Sequence, residues 1–306
     1  MTRIIAGLSI AVTWVLLGNE RGTVRARQDR PLFRVSADAV LVDVAVSRGK
    51  APVRGLTPAD FEVRDNKVVQ HIDSLWTDEV PIDLSLMIDA SASVIGDART
   101  RIADGAGQIA RLLRPGDALQ VVVAGDRLER VTPEDVKAVV ASRPMYLNDG
   151  GTALYDGLTV LLMQRSRPGR RHVILALTDA VDTSSVVSEW ALRDTAARSD
   201  ASAYMIALFD PAHVRAFGFV YPVEGIFPTT FDQTVSGLVE ASGGRFVPLS
   251  IEQPFVPACM AILDELRARY TLSYVPQGVV TAGWHDLAVQ VTSGRYEVRA
   301  RRGYRR

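Results

Sequence analysis

The chain has 306 residues, with 35 Lys or Arg against 35 Asp or Glu, so its formal net charge is zero. That balance excludes a general electrostatic pull toward nucleic acid or an anionic membrane, and the basic stretches at 21–30 and 299–306 read as solvated ends. A hydrophobic share of 47% suffices for a large core, and a single cysteine cannot close an internal disulfide, so the fold rests on packing.

Arg3 precedes an apolar run over residues 4–17 that only Gly7, Ser9 and Thr13 interrupt. A bilayer-spanning helix needs roughly 20 apolar residues, whereas this length suits the core of a signal peptide. Leu17-Gly18-Asn19-Glu20 matches a small-residue cleavage site poorly. A cleaved signal and an uncleaved anchor therefore both stay open, and membrane contact is expected through this segment alone. Residues 1–30 are predicted to be a signal peptide and polar leader, and the protein to be exported, either periplasmic or secreted.

Residues 31–80 predict a small N-terminal β module. Over 39–46, Val40, Val42, Val44 and Val46 share one face, the period of a strand. Thr57-Pro58-Ala59-Asp60 resembles a capped turn, and 61–63 and 68–76 read as two strands hinged at Asp65-Asn66. Three short strands are marginal alone.

From Pro81 strands alternate with helices. Strands are predicted at 82–88, 118–124, 128–131, 172–177, 203–209 and 245–247, and helices at 102–113, 133–141, 153–164, 186–198 and 231–242. Runs such as Gln120-Val121-Val122-Val123 suit burial on both sides. The fold class is therefore α/β, a doubly wound, mainly parallel sheet with helices on both faces over residues 81–250. A helix at 255–269 carries Cys259, read as a buried, inert thiol. Strands at 270–275, 284–291 and 296–300 follow, so that 251–306 completes the β module begun at the other end of the chain.

Three polar clusters fall where such a sheet binds ligands, outside the carboxyl ends of its strands. They are Asp89-Ala90-Ser91-Ala92-Ser93, Asn148-Asp149-Gly150-Gly151-Thr152 and Thr178-Asp179-Ala180-Val181-Asp182. Hydroxyls and carboxylates without His or Cys are hard ligands, suited to Mg²⁺, Mn²⁺ or Ca²⁺ and not to zinc. The duller reading is that these residues only cap helices and end strands.

Asp89-x-Ser91-x-Ser93, Thr152 and Asp179 resemble the five-residue metal-ion-dependent adhesion site of von Willebrand factor type A domains, over about residues 81–247. The flanks resemble a bacterial exported subgroup described as VWFA-related, through Val42-Asp43-Val44, Gly55-Leu56-Thr57-x-x-Asp60-Phe61, Tyr270-x-Leu272-x-Tyr274 and Arg301-Arg302-Gly303-Tyr304. The resemblance implies that Ser91 and Ser93 bind Mg²⁺ directly, Thr152 directly or through water, and that Asp89 and Asp179 hold coordinating waters. It also implies a protein partner that supplies an Asp or Glu to the metal, and no catalytic residue.

Two other readings compete. One is a Mg²⁺-dependent phosphoryl-transfer hydrolase, for which Asp149, Asp156 or Asp182 would have to act as base, since Ser91 is a poor proton carrier. The other is a scaffold with a purely structural metal, whose β module is the interaction surface. Residues 211–230, with Phe217, Phe219, Tyr221 and Phe227, read as an irregular loop that either meets a partner or packs on the sheet edge. His71, His172, His213 and His285 have no metal-ligand spacing and read as structural or surface residues.

Overall fold

The computed structural model describes residues 38–49, 51–77, 80–91, 97–125, 127–142, 151–209, 230–250, 252–280 and 282–306. The targeting segment, Ser93, Asp149, His213 and residues 211–229 lie outside the described residues.

The valine alternation forms β1 (Val40–Arg48), with Val42, Val44 and Val46 buried, and the short β2 (Ala51–Pro52) folds back on its end. A 3-10 turn at Pro58–Asp60 follows, in which the Asp60 carboxylate accepts from both the amide and the hydroxyl of Thr57 at 2.8 Å. It leads into the hairpin of β3 (Phe61–Asp65) and β4 (Val68–Gln70). The connecting Asn66 and Lys67 have φ of 46° and 69°, the left-handed geometry that matches the twist of a two-residue hairpin.

Next comes β5 (Ser74–Trp76), so residues 68–76, predicted as one strand, divide between two sheets. The cause is distant in sequence. The Gln70 amide donates to the Gln277 carbonyl at 3.0 Å, and Asp73 accepts from Val275 N at 3.0 Å, which turns the chain from one sheet to the other.

The α/β layer contains β6 (Ile82–Asp89), α1 (Asp97–Leu112), β7 (Ala118–Ala124), β8 (Glu129–Val131), α2 (Val136–Ser142) and α3 (Leu154–Leu162). It continues with β9 (Arg171–Thr178), α4 (Glu189–Arg198), β10 (Ser202–Phe209), α5 (Thr230–Ala241), β11 (Phe246–Ser250) and α6 (Val256–Arg267). The sheet order is β11-β10-β9-β6-β7-β8; neighbours from β11 to β7 are parallel and β8 pairs antiparallel, so the sheet is mixed.

Leu86, Ile88, Val123 and Leu175 meet α1, α2 and α6 through Ile102, Val140 and Ile262. Met87, Ile174 and Met205 meet α3, α4 and α5 through Leu158, Leu192 and Leu238. Apolar helices cover both faces, which is why these strands read as continuous hydrophobic runs. Cys259 is buried in the first of these layers, and burial pushes its thiol pKa up to about 12. Helix α4 starts three residues later than the predicted 186, because the amides of Val186 and Val187 are taken by the Asp156 carboxylate at 3.2 and 2.8 Å.

The chain closes with β12 (Tyr270–Tyr274), β13 (Trp284–Val291), β14 (Glu297–Ala300) and β15 (Gly303–Arg305). These pair with the N-terminal strands into two sheets, β14-β1-β12-β5 with β2 alongside, and β15-β13-β3-β4. Val42, Val63, Leu272 and Leu287 lie in the core that both sheets share.

Asp65, read from sequence as part of a hinge, is fully buried in that core. It accepts from Tyr274 at 2.9 Å and Tyr304 at 2.8 Å, and lies 2.8 Å from Nδ1 of the equally buried His285. One carboxylate thus ties strands of both sheets together.

These β layers join the α/β layer at the amino ends of its strands. Arg171, the first residue of β9, meets Asp43 of β1 at 2.7 Å and donates to the Leu266 carbonyl at 2.6 Å. Arg269, fully buried, donates to the Gly243 carbonyl and to Ser202 Oγ at 3.2 Å, and lies 3.6 Å from Glu265.

Candidate metal centre

The carboxyl ends of β6 and β9 are neighbours, since Ile88 pairs with Leu177 and so sets Asp89 beside Thr178. Asp89 is 1% exposed. Its Oδ1 accepts from Ser91 N at 2.9 Å and its Oδ2 from the Thr178 hydroxyl at 2.6 Å. The Ser91 hydroxyl and the Asp179 amide also donate to it. Burial raises the Asp89 pKa more than these hydrogen bonds lower it. No Lys, Arg or His is among the main influences on it or paired with it among the described residues, so hydroxyl and amide dipoles surround the carboxylate.

After β9 the chain bends sharply. Ala180 has φ of 62°, a left-handed conformation unusual for a residue with a Cβ, and its amide donates to Thr178 Oγ1 at 3.0 Å. Asp179 Oδ1 accepts from Val181 N at 3.0 Å. The bend starts the 179–188 loop, which also carries the Thr152 segment. The Thr152 amide donates to Thr183 Oγ1 at 2.8 Å, while its carbonyl accepts from Thr183 N at 3.0 Å and Ser184 N at 3.2 Å. A Cβ on Gly151 would lie 2.6 Å from Ser184 Cβ, so only glycine fits. Ala153 N donates to the Gly125 carbonyl at 3.1 Å and Ala90 N to the Ala124 carbonyl at 2.7 Å, which ties both segments to the end of β7.

Of the five sequence-predicted residues, Asp89, Ser91 and Asp179 come together around one carboxylate, Thr152 is buckled to the loop that Asp179 begins, and Ser93 lies outside the described residues. The donor set fits a hard divalent cation. Oxygen atoms surround an anionic group that lacks a positive partner, and such ions take oxygen ligands. Among the described residues there is no group of three His, Cys, Asp or Glu side chains able to hold a metal, so hydroxyls would have to share the task.

No family model matches the chain, and no curated protein does. Solved structures similar to it include an aerotolerance-related membrane protein from Bacteroides fragilis NCTC 9343, at 13% identity and a TM-score of 0.44 over 60% of this chain and 98% of that one. BatB from Bacteroides thetaiotaomicron is similar at 14% identity, with a TM-score of 0.42 over 60% and 98%. The SpRpn10 VWA domain is similar at 16% identity, with a TM-score of 0.38 over 66% and 100%. Likenesses this remote leave the reading of the site to its own geometry.

Sequence reasoning placed Thr178 in the third polar cluster without a role and missed Thr183. The hydroxyl of Thr178 matters because of strand register, and that of Thr183 because two loops meet. The only local signal was the density of hydroxyls in residues 178–185. Two of the carboxylates considered as a catalytic base are engaged structurally. Asp182 accepts from Tyr155 N at 3.2 Å at the start of α3, and Asp156 holds the amides of Val186 and Val187.

Proposed function

We propose that this chain is an exported, non-catalytic protein-binding module of the von Willebrand factor type A kind, using a divalent cation, Mg²⁺ in the first instance, at the Asp89 edge of its sheet. Ser91, Ser93 and Thr152 would hold the ion, with Asp89 and Asp179 balancing its charge. When bound, the ion supplies an electrophilic position able to accept a carboxylate from an Asp or Glu of a partner protein. The observation that carries the reading is Asp89, a carboxylate buried among hydroxyls and amides with no basic side chain paired to it among the described residues. Phosphoryl transfer is less well supported, because Asp156 and Asp182 are occupied as caps.

Thermal unfolding in Mg²⁺, Mn²⁺ or Ca²⁺ tests the metal. A hundredfold excess over Kd stabilises by about 2.7 kcal/mol, and Ser91→Ala with Ser93→Ala should abolish the gain. Unchanged melting in all three ions would remove the proposal. Capture of a partner from the source cells that is lost in EDTA supports the metal-bridged contact. Capture that survives EDTA assigns the metal a structural role and the interaction to the β layers.

A further inference from the structure

A second chemical environment lies toward the opposite end of the same sheet. The face covered by α3, α4 and α5 is apolar at Met87, Val122 and Ile174 but turns polar one strand-step lower, at Asp83, Ser85, Gln120 and His172. Register makes these four a contiguous patch, since Asp83 pairs with His172 and Ser85 with Gln120. The patch is open because α3 ends at Leu162, after nine residues. Such a helix is about 14 Å long, shorter than the strands it lies on, and the chain beyond it arches over the gap as Gln164, Arg165, Ser166 and Arg167. The result is a cavity of about 360 Å³, within the size range of small-molecule clefts.

The lining mixes polar and apolar groups, with Leu84, Ala118 and Leu119 beside the polar ones, and is net positive. Gln120 donates its amide to Ser85 Oγ and to Gln164 Oε1, a chain of groups that also serves hydroxyls or amides of a ligand. Asp83 is already paired with Arg167 and Arg170. That leaves Arg130, on β8 opposite Val122, and Arg165 at the mouth, neither with an ion-pair partner among the described residues. Both ring nitrogens of His172 are buried there without a hydrogen-bond partner among the described residues, an arrangement uncommon in finished cores. Burial lowers the His172 pKa against the opposing pull of Asp200 and Asp83, and the guanidinium groups supply the charge of the mouth.

We propose that this cavity binds a small oxyanion, a phosphate- or carboxylate-bearing molecule whose charge meets Arg130 and Arg165 and whose polar body meets Gln120, Gln164 and Ser85. Six residue steps along β6 separate Asp83 from Asp89, about 20 Å, so the cleft is distinct from the metal centre and stands whether or not that centre binds metal.

The test uses full-length Asp89→Asn protein, so that chelation of a cation cannot contribute, titrated with inorganic phosphate and with citrate at constant ionic strength. At tenfold excess over Kd either ligand should raise Tm by about 3 °C, and the His172 imidazole signals should move in heteronuclear NMR spectra. A response to phosphate alone assigns a phosphate-bearing ligand, and a response to citrate alone a carboxylate. Arg130→Gln with Arg165→Gln, both exposed positions, should weaken binding at least tenfold without changing the urea midpoint. No response to either anion, an undiminished response in the double variant, or unmoved His172 signals would overturn the proposal.

Discussion

The two edges of the central sheet solve the same electrostatic problem in opposite ways. At the amino edge Asp43 and Glu265 lie where burial would raise their pKa, yet Arg171 and Arg269 beside Asp43, and Arg269 and Arg299 beside Glu265, hold both below the usual carboxylate range. At the carboxyl edge Asp89 is more deeply buried than Asp43, and burial raises its pKa against the hydrogen bonds from Ser91, Thr178 and the Asp179 amide, with no basic side chain paired to it among the described residues. Among the described residues the protein thus carries its own cations where the β layers dock and none beside Asp89. One edge is a permanent joint. The other has the charge pattern of a site that takes its cation from solution.

The largest effect should come from breaking the joint. Glu265 accepts from Tyr204 at 2.7 Å and lies among Arg269, Arg299 and Arg245. Replacing one member of a buried ion pair leaves the others uncompensated, at about 3–5 kcal/mol. Glu265→Leu should lower the urea midpoint accordingly, in metal and in chelator alike. A loss under 1 kcal/mol would mean that the docking of the β layers rests on packing alone.

Asp89→Asn should behave differently. In EDTA it should leave stability within about 1 kcal/mol of wild type, since the amide oxygen can still accept from Ser91 N, the Thr178 hydroxyl can turn to accept from the new NH2 group, and an unpaired buried charge is removed. In saturating Mg²⁺ it should forfeit the roughly 2.7 kcal/mol that the cation adds at a hundredfold excess over Kd. Equal destabilisation in both conditions would place Asp89 with Asp43 and Glu265 as a structural anion and end the contrast between the edges.

Gly151→Ala probes how the Thr152 segment is held. Its methyl would sit 2.6 Å from Ser184 Cβ and 2.7 Å from Ser184 Oγ, forcing the two loops apart. A strain of about 1–3 kcal/mol is expected, read as a lower Tm together with weaker Mg²⁺ affinity. A lower Tm with unchanged affinity would show that Thr152 takes no part in the site.

What the sequence disclosed and what it hid follow from the range of the interactions. Strand β6 and the Asp89-x-Ser91 spacing were legible because an apolar run and a short motif are local. Pairing of the two chain ends was legible because three short strands demand a partner. The split of residues 68–76 was not, since it depends on Gln277 and Val275 about two hundred positions on. Asp65 looked like a turn residue next to Asn66, and only Tyr274, Tyr304 and His285 closing over it make it the polar centre of the sandwich. The bond from Thr178 to Asp89 was hidden in the same way, behind the register of β6 and β9.

The smallest effect is a pH dependence at the joint. Asp43, whose side chain is 22% exposed, pairs with Arg171 at 2.7 Å, and its pKa is lowered because Arg171 and Arg269 outweigh the partial desolvation. A carboxyl group whose folded pKa lies below its unfolded value contributes stability above the unfolded value, near 3.9, and loses it as pH falls through the folded one. Wild-type stability should therefore decline below about pH 4. Asp43→Asn should start lower at pH 7 and show a shallower acid limb, so that the two curves converge toward pH 2–3. Parallel curves would mean that Arg171 is held by the Leu266 carbonyl and Thr271 rather than by charge, and that the amino edge is neutral scaffolding instead of an ionic joint.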